Sequence, residues 1–161
     1  LLWEGPSTRT LRGRSNAPRA FVYLDVSGSM DLFVPALRAA IARPLRDGAA
    51  RLFAFSTEVH EIDVRPFGRT PAPSTGGTSI NCVLAHVLTL PDRERPRSIV
   101  VVTDGFVGTT HRVLVDRLHG LRIAVHAAVP PSGAREDLST LDPVVHVLPD
   151  PTPEFAARRP A

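Results

Sequence analysis

The chain has 161 residues, 43% of them hydrophobic and 22% charged, with a formal net charge of +3, which suits one globular domain with an ordinary core. No run approaches the ~18 apolar residues of a membrane span, and the N-terminal LLWEGPSTRTLRGRSNAPR lacks the apolar centre of a secretory signal, so a soluble, cytoplasmic protein is expected. The single cysteine, Cys82, excludes an internal disulfide and any cysteine-rich zinc cluster.

Residues 1–18 read as an N-terminal arm or interdomain segment. The chain opens on Leu1 rather than Met, the start expected of a piece of a longer polypeptide. The arm carries Arg9, Arg12 and Arg14, just before Arg19, and Trp3 reads as an anchor against the domain or a neighbour. All 19 cationic residues are arginine, and a second cluster, Arg93, Arg95 and Arg97, follows later. Such clusters suit phosphates or acidic protein surfaces, or simply a solvated face.

The domain proper is placed at 19–149. Ala20 to Leu24 (AFVYL) is a continuous apolar run of the kind a strand buried on both faces requires. After the loop DVSGSM, Leu32, Phe33, Leu37, Ala40 and Ile41 recur at helical spacing over Leu32 to Leu45. Pro35 is tolerable in the first turn, and Pro44 closes or distorts the last. Arg51 to Thr57 reads as a second strand, and Val59 to Phe67 alternates like an edge strand turned back on it, where Pro66 is acceptable. From Ser79 to Leu90 the apolar positions Ile80, Val83, Leu84, Val87 and Leu88 predict a helix entered through GGTS, with a serine or threonine cap. Cys82 reads as a small buried residue of it.

SIVVVTD predicts another fully apolar strand. His111 to His119 predicts a short helix, Leu121 to Val129 a strand, Arg135 to Leu141 a weak helix, and Val144 to Leu148 a last strand. The tail 150–161 has too little apolar content to order itself. Strands alternating with amphipathic helices predict a doubly wound α/β fold: an open, mostly parallel sheet with helices on both faces. In such sheets ligands bind beyond the carboxyl ends of the strands. The motifs DVSGS and TDG both stand there.

The chemistry follows from the donor types. Asp25, Ser27 and Ser29 leave the first strand at a spacing of two, Thr78 arrives on STGGTSI (Ser74 to Ile80), and Asp104 ends VVVTD. Five oxygen donors from three places could gather around one hard cation. Magnesium takes near-octahedral oxygen coordination at about 2.0–2.1 Å and needs neither Cys nor His; manganese and calcium are the alternative ions. Two carboxylates only formally neutralise the ion, leaving it able to take one more anionic ligand, and a partner's Asp or Glu carboxylate is the natural group. Phe106 and Val107, directly after TDG, are apolar residues on a loop beside the cluster, and with Gly77 they are expected to meet that partner. Met30 and Phe33 are expected in the core. The six histidines look scattered rather than paired, with His86 and His126 inside apolar elements as satisfied core or boundary residues.

Together DVSGS, STGGT and VVTDG resemble the metal-ion-dependent adhesion site (MIDAS) of von Willebrand factor type A (VWA) domains, and the resemblance extends from Arg19 to Leu148. It implies a six-stranded sheet with one antiparallel edge strand. It also implies that Ser27, Ser29 and Thr78 are hydroxyl ligands, with Asp25 and Asp104 binding the ion directly or through water. The implied role is metal-dependent protein recognition or complex assembly rather than catalysis. Short helices, and little sequence after the last strand for a shifting C-terminal helix, resemble the compact intracellular bacterial members. Those often accompany ATPases of the AAA+ type. Two other functions compete: a magnesium-dependent phosphohydrolase with Asp25 as nucleophile, and nucleic-acid association through the arginine-rich arm. The first lacks the usual second acid, since Ser27 stands there, and lacks any lysine, leaving Arg38 or Arg43 to steady a phosphoryl group. The second lacks an evident aromatic platform.

Overall fold

The computed structural model of the chain describes residues 19–62 and 77–149. The arm 1–18, the outer half of the expected edge strand with Pro66, the loop through Ser74 and Gly76, and the tail 150–161 lie outside the described residues. The elements run β1 (Ala20–Asp25), α1 (Val34–Arg46), β2 (Ala50–Phe55), β3 (Val59–Glu61), α2 (Ile80–Thr89), β4 (Ser98–Val102), α3 (Arg112–Gly120), β5 (Ala124–Val129) and β6 (Val144–Val147). Short 3-10 turns cover Gly28–Met30, Asp92–Glu94 and Glu136–Leu141, the last where a weak helix is predicted.

The strands form one six-stranded sheet in the order β3-β2-β1-β4-β5-β6. Only β3 is antiparallel, paired with β2; every other neighbouring pair is parallel. Parallel neighbours need a crossover, and helices that cross over must cover the sheet. Strand periodicity divides the side chains between two cores. Phe21, Tyr23, Phe53, Ile99, Val101 and Val125 face α2 and α3, while Val22, Leu24, Leu52 and Val102 face the α1 side with Leu37 and Ile41. The winding reverses between β1 and β4, which lie side by side at the centre. This is the switch point at which such sheets leave a crevice beyond their carboxyl ends.

Leu32, assigned by its spacing to the apolar face of α1, instead precedes the helix and is 64% exposed, while Met30 is fully buried. The 3-10 turn at Gly28–Met30 rotates the chain, so the helical register starts only at Val34. Pro35 sits in the first turn of α1, and Pro44 lies within its last turn. The histidines are also less scattered than they look. His126 and His146 stand on adjacent parallel strands, with Nδ1 and Nε2 3.2 Å apart.

His86 belongs to an aromatic cluster under α2. Tyr23 stacks on Phe53 at 5.1 Å, and the His86 ring lies 4.8 Å from Phe53. The guanidinium of Arg51, 5.2 Å from both the Phe21 and Phe53 rings, is held by Glu61. Burial keeps the Tyr23 hydroxyl protonated far above neutral pH, and its oxygen lies at hydrogen-bond distance, 2.8 Å, from His86 Nδ1. Burial first, then the charge of Arg51, pushes the His86 pKa down.

The unfolded chain therefore takes up a proton near pH 6.5 that the folded chain refuses. Stability from this group is complete above that pH and falls as the pH drops through it toward the lower folded value. Urea midpoints at about pH 7.5 and 5.5 should fall more in the wild type than in His86→Gln. An equal fall in both would clear His86 of the effect.

Candidate metal centre

Asp25 is the last residue of β1 and is fully buried. A buried carboxylate must find donors, and three converge on it. Ser27 N and Thr78 Oγ1 donate to Oδ1 at 2.9 and 3.4 Å, and Thr103 Oγ1 donates to Oδ2 at 2.7 Å. The Ser27 amide closes a tight loop over the strand end and brings Ser27 Oγ to 3.0 Å from Ser29 Oγ. Ser29 Oγ donates in turn to Asp104 Oδ2 at 2.5 Å. Asp25, Ser27, Ser29, Thr78 and Asp104 are therefore joined in one connected network, although they come from three distant segments.

Exposure is graded across this network. Asp25 lies at the base, Thr78, Ser27 and Asp104 are half-buried, and Ser29 is exposed at the rim. Asp104 is fixed by its own backbone. Phe106 N donates to Oδ1 at 3.1 Å and Ala134 N donates to the Asp104 carbonyl at 2.8 Å. Gly105 makes this turn with φ +91, and a Cβ there would lie 1.7 Å from the Ala134 carbonyl oxygen. Thr78 is carried by backbone bonds on both sides of the α2 start, Ser79 N to Ser56 O at 2.8 Å and Ile80 N to Val107 O at 3.0 Å. The predicted cap is the extended Ser79, whose side chain makes no capping bond.

The residues expected at the partner surface divide. Phe106 is 66% exposed and Gly77 is also exposed. Val107 is fully buried in the core that includes α2 and α3, which corrects its assignment to the partner face: the loop turns inward immediately after Phe106. Leu32, on the segment that follows Ser29, joins Phe106 as an exposed apolar residue.

Sequence reasoning missed two contributors. Thr103 is fully buried; its Oγ1 accepts from Gly105 N at 3.1 Å while donating to Asp25, so it couples the two carboxylate loops. The signal was a hydroxyl ending an otherwise apolar strand. Asn81 holds the loop after Val107: its Nδ2 donates to Thr109 O at 2.9 Å and its Oδ1 accepts from His111 N at 2.8 Å. Cys82, half-buried, donates through Sγ to Ser79 O at 3.0 Å, and burial pushes its thiol up to about 11.

Among the described residues no three of His, Cys, Asp and Glu gather into a metal-binding group. The cluster instead offers two carboxylates and three hydroxyls, an all-oxygen set that fits a hard cation such as Mg2+ and suits a soft one poorly.

Several solved structures share this architecture. Proximal thread matrix protein 1 from the mussel byssus, described with a zinc-occupied MIDAS motif, matches with a TM-score of 0.61 at 15% identity, over 88% of this chain and 46% of that one. The conserved hypothetical protein BatB from Bacteroides thetaiotaomicron matches with the same TM-score and identity, over 88% of this chain and 95% of that one. The ArnB paralog VWA2 from Sulfolobus acidocaldarius matches with a TM-score of 0.56 at 13% identity, over 87% and 43%. The chain thus spans under half the length of the mussel protein, and at these identities the likeness establishes the fold alone. No curated protein sequence matches. The profile of one protein family, described as VWA domain containing CoxE-like protein, matches residues 3–130. The chain therefore belongs to the CoxE-like family of VWA-domain proteins.

Proposed function

We propose that this domain is a protein-interaction module in which a divalent cation, held by Ser27, Ser29 and Thr78 and, directly or through water, by Asp25 and Asp104, captures an Asp or Glu side chain of a partner. The observation that carries the reading is the connected carboxylate–hydroxyl network beyond β1 and β4, buried at Asp25 and open at Ser29. The cation would supply the positive charge that a partner's carboxylate recognises. The protein's part is to hold the donors in place and to offer Phe106, Leu32 and Gly77 around them. The zinc-occupied motif of the mussel relative supports divalent-metal binding on this fold, and Mg2+ is our choice from the oxygen donors. An ATPase of the AAA+ type is the partner class implied by the resemblance to compact bacterial members.

Binding rather than catalysis is favoured by Asp25 itself. A nucleophilic carboxylate needs a free, approachable oxygen. Asp25 is fully buried with both oxygens accepting hydrogen bonds.

The test is a displayed library of random peptides, panned in magnesium and again in chelator. Peptides carrying Asp or Glu should be enriched only in magnesium, and Ser29→Ala or Asp104→Asn should abolish that enrichment. Enrichment indifferent to chelator, or sparing both variants, would overturn the reading.

A further inference from the structure

The arginine cluster of the sequence takes no part in the metal centre. It lies at the other end of the sheet, where β1, β4 and β5 begin: Arg97 N donates to Arg19 O at 3.0 Å, and Ala124 N donates to Arg97 O at 3.0 Å. A cleft of about 450 Å³ opens there between the segment leading into β4 and the turn between α3 and β5. Arg95, Arg97 and Arg122 line it, with Pro96, Leu121 and Ile123 as its apolar part. Among the described residues Asp92 is the only acid lining the cleft, so the formal charge of that described lining is +2. The volume falls within the range of roughly 300–1,000 Å³ usual for small-molecule sites.

Two details separate this cleft from an ordinary arginine-studded surface. The first is Arg95, whose side chain is only 23% exposed and whose pairing is incomplete. Asp92, itself 92% exposed, takes Nη1; Leu88 O takes Nη2 only at 3.5 Å; and the shielded Nε has no hydrogen-bond partner among the described residues. An ion pair with so exposed a carboxylate is weak and readily exchanged. A ligand with several oxygens would displace Asp92 from Nη1 and bind the guanidinium more completely.

The second is Arg122. It follows the C-cap of α3 with φ +54, the left-handed position at which glycine is common because a Cβ is unfavourable there. The equivalent residue after α1 is Gly48, with φ +67. At α3 the chain keeps an arginine in that conformation, and its side chain lines the cleft.

We propose that this cleft binds a small phosphorylated ligand of nucleotide size, its phosphate held by Arg95, Arg97 and Arg122 and its flat or apolar body resting on the exposed Leu121, with the buried Pro96 and Ile123 beneath. Guanidinium forks match phosphate oxygens bidentately, and a terminal phosphate group carries about −1.5 to −2 at neutral pH, close to the charge of the cleft's described lining. A lone carboxylate would leave part of that charge unmatched. The proposal is independent of the metal centre, which lies at the opposite ends of the same strands.

The experiment is calorimetric titration with ADP, inorganic phosphate and adenosine, in chelator so that the metal centre is silent. ADP should bind at one site, phosphate should compete more weakly, and adenosine should not register. Arg97→Gln and Arg122→Gly should each weaken ADP by about tenfold or more. Arg122→Gly should melt no lower than the wild type, because glycine relieves the left-handed strain, and this separates lost binding from lost folding. Ser29→Ala should leave ADP binding unchanged. No heat with ADP up to about 1 mM, or binding indifferent to both arginine substitutions, would overturn the proposal. So would an oligonucleotide that binds where ADP does not, which would make this face a nucleic-acid surface.

Discussion

Asp25→Ala is expected to lose the whole thermal response to magnesium or manganese and, in chelator, about 2–4 kcal/mol of folding stability. The stability loss follows from what the carboxylate does without any cation. It accepts from Ser27 N, Thr78 and Thr103, and Thr103 is fully buried. A buried donor stripped of its acceptor costs about 1–3 kcal/mol, and the loop bearing Ser27 loses its anchor. A wild-type protein bound at a hundred times its dissociation constant gains about 2.7 kcal/mol, equivalent to several degrees at about 2–4 °C per kcal/mol for a chain of this size. Calorimetric melts of both proteins, each with chelator and with excess cation, read the two effects separately. A rise in the variant equal to that in the wild type would place the cation elsewhere. Wild-type stability of the variant in chelator would refute the buried-anchor argument.

Gly105→Ala should cost about 3 kcal/mol or more and detach Asp104 from the centre. The residue has φ +91, where an alanine is strained, and the new Cβ would lie 1.7 Å from the Ala134 carbonyl oxygen. That neighbour is backbone and cannot swing aside as a side chain can. It is held by the bond from Ala134 N to Asp104 O at 2.8 Å, so relieving the clash means parting the two loops. The turn that hands Phe106 N to Asp104 Oδ1 and Gly105 N to Thr103 Oγ1 is lost with it. Urea unfolding measures the cost, and calorimetric magnesium titration at low temperature, where the variant is folded, should show affinity reduced by about tenfold or more. A variant with unchanged urea midpoint and magnesium affinity would show that the loops yield freely.

Among the described residues the predicted elements correspond to the observed ones with ends displaced by a few residues, apart from the 3-10 turn at Glu136–Leu141 and the edge strand, observed only over Val59–Glu61, because their signals are local. An AFVYL or SIVVV run buried on both faces has few alternatives to a central strand, and the 3–4 spacing of Ile80, Val83, Leu84, Val87 and Leu88 has none as good as a helix packed along one side. That Asp25, Ser27, Ser29 and Asp104 come together was legible for a similar reason: oxygen side chains at the carboxyl ends of neighbouring parallel strands lie side by side in a doubly wound sheet, whereas Thr78 reaches them from the segment before α2. Val107 was misassigned because an apolar residue on a loop gives no local sign of its direction. Its burial depends on Ile80 N reaching its carbonyl and on Asn81 holding the loop beyond it. Leu32 was misassigned because a 3-10 turn shifts helical phase by an amount that spacing does not reveal.

What the amino-acid sequence determined by itself was therefore the set of elements, their alternation and the donor chemistry at two strand ends, since these rest on periodicity and residue type. Only the tertiary structure decided which groups meet across the chain. It brought Thr103 onto Asp25 and Ser29 onto Asp104, set His126 beside His146, and gathered Arg95, Arg97 and Arg122 around one cleft. Contacts of this kind depend on strand order and register, and register is fixed by burial of whole faces at once. No short segment carries that information.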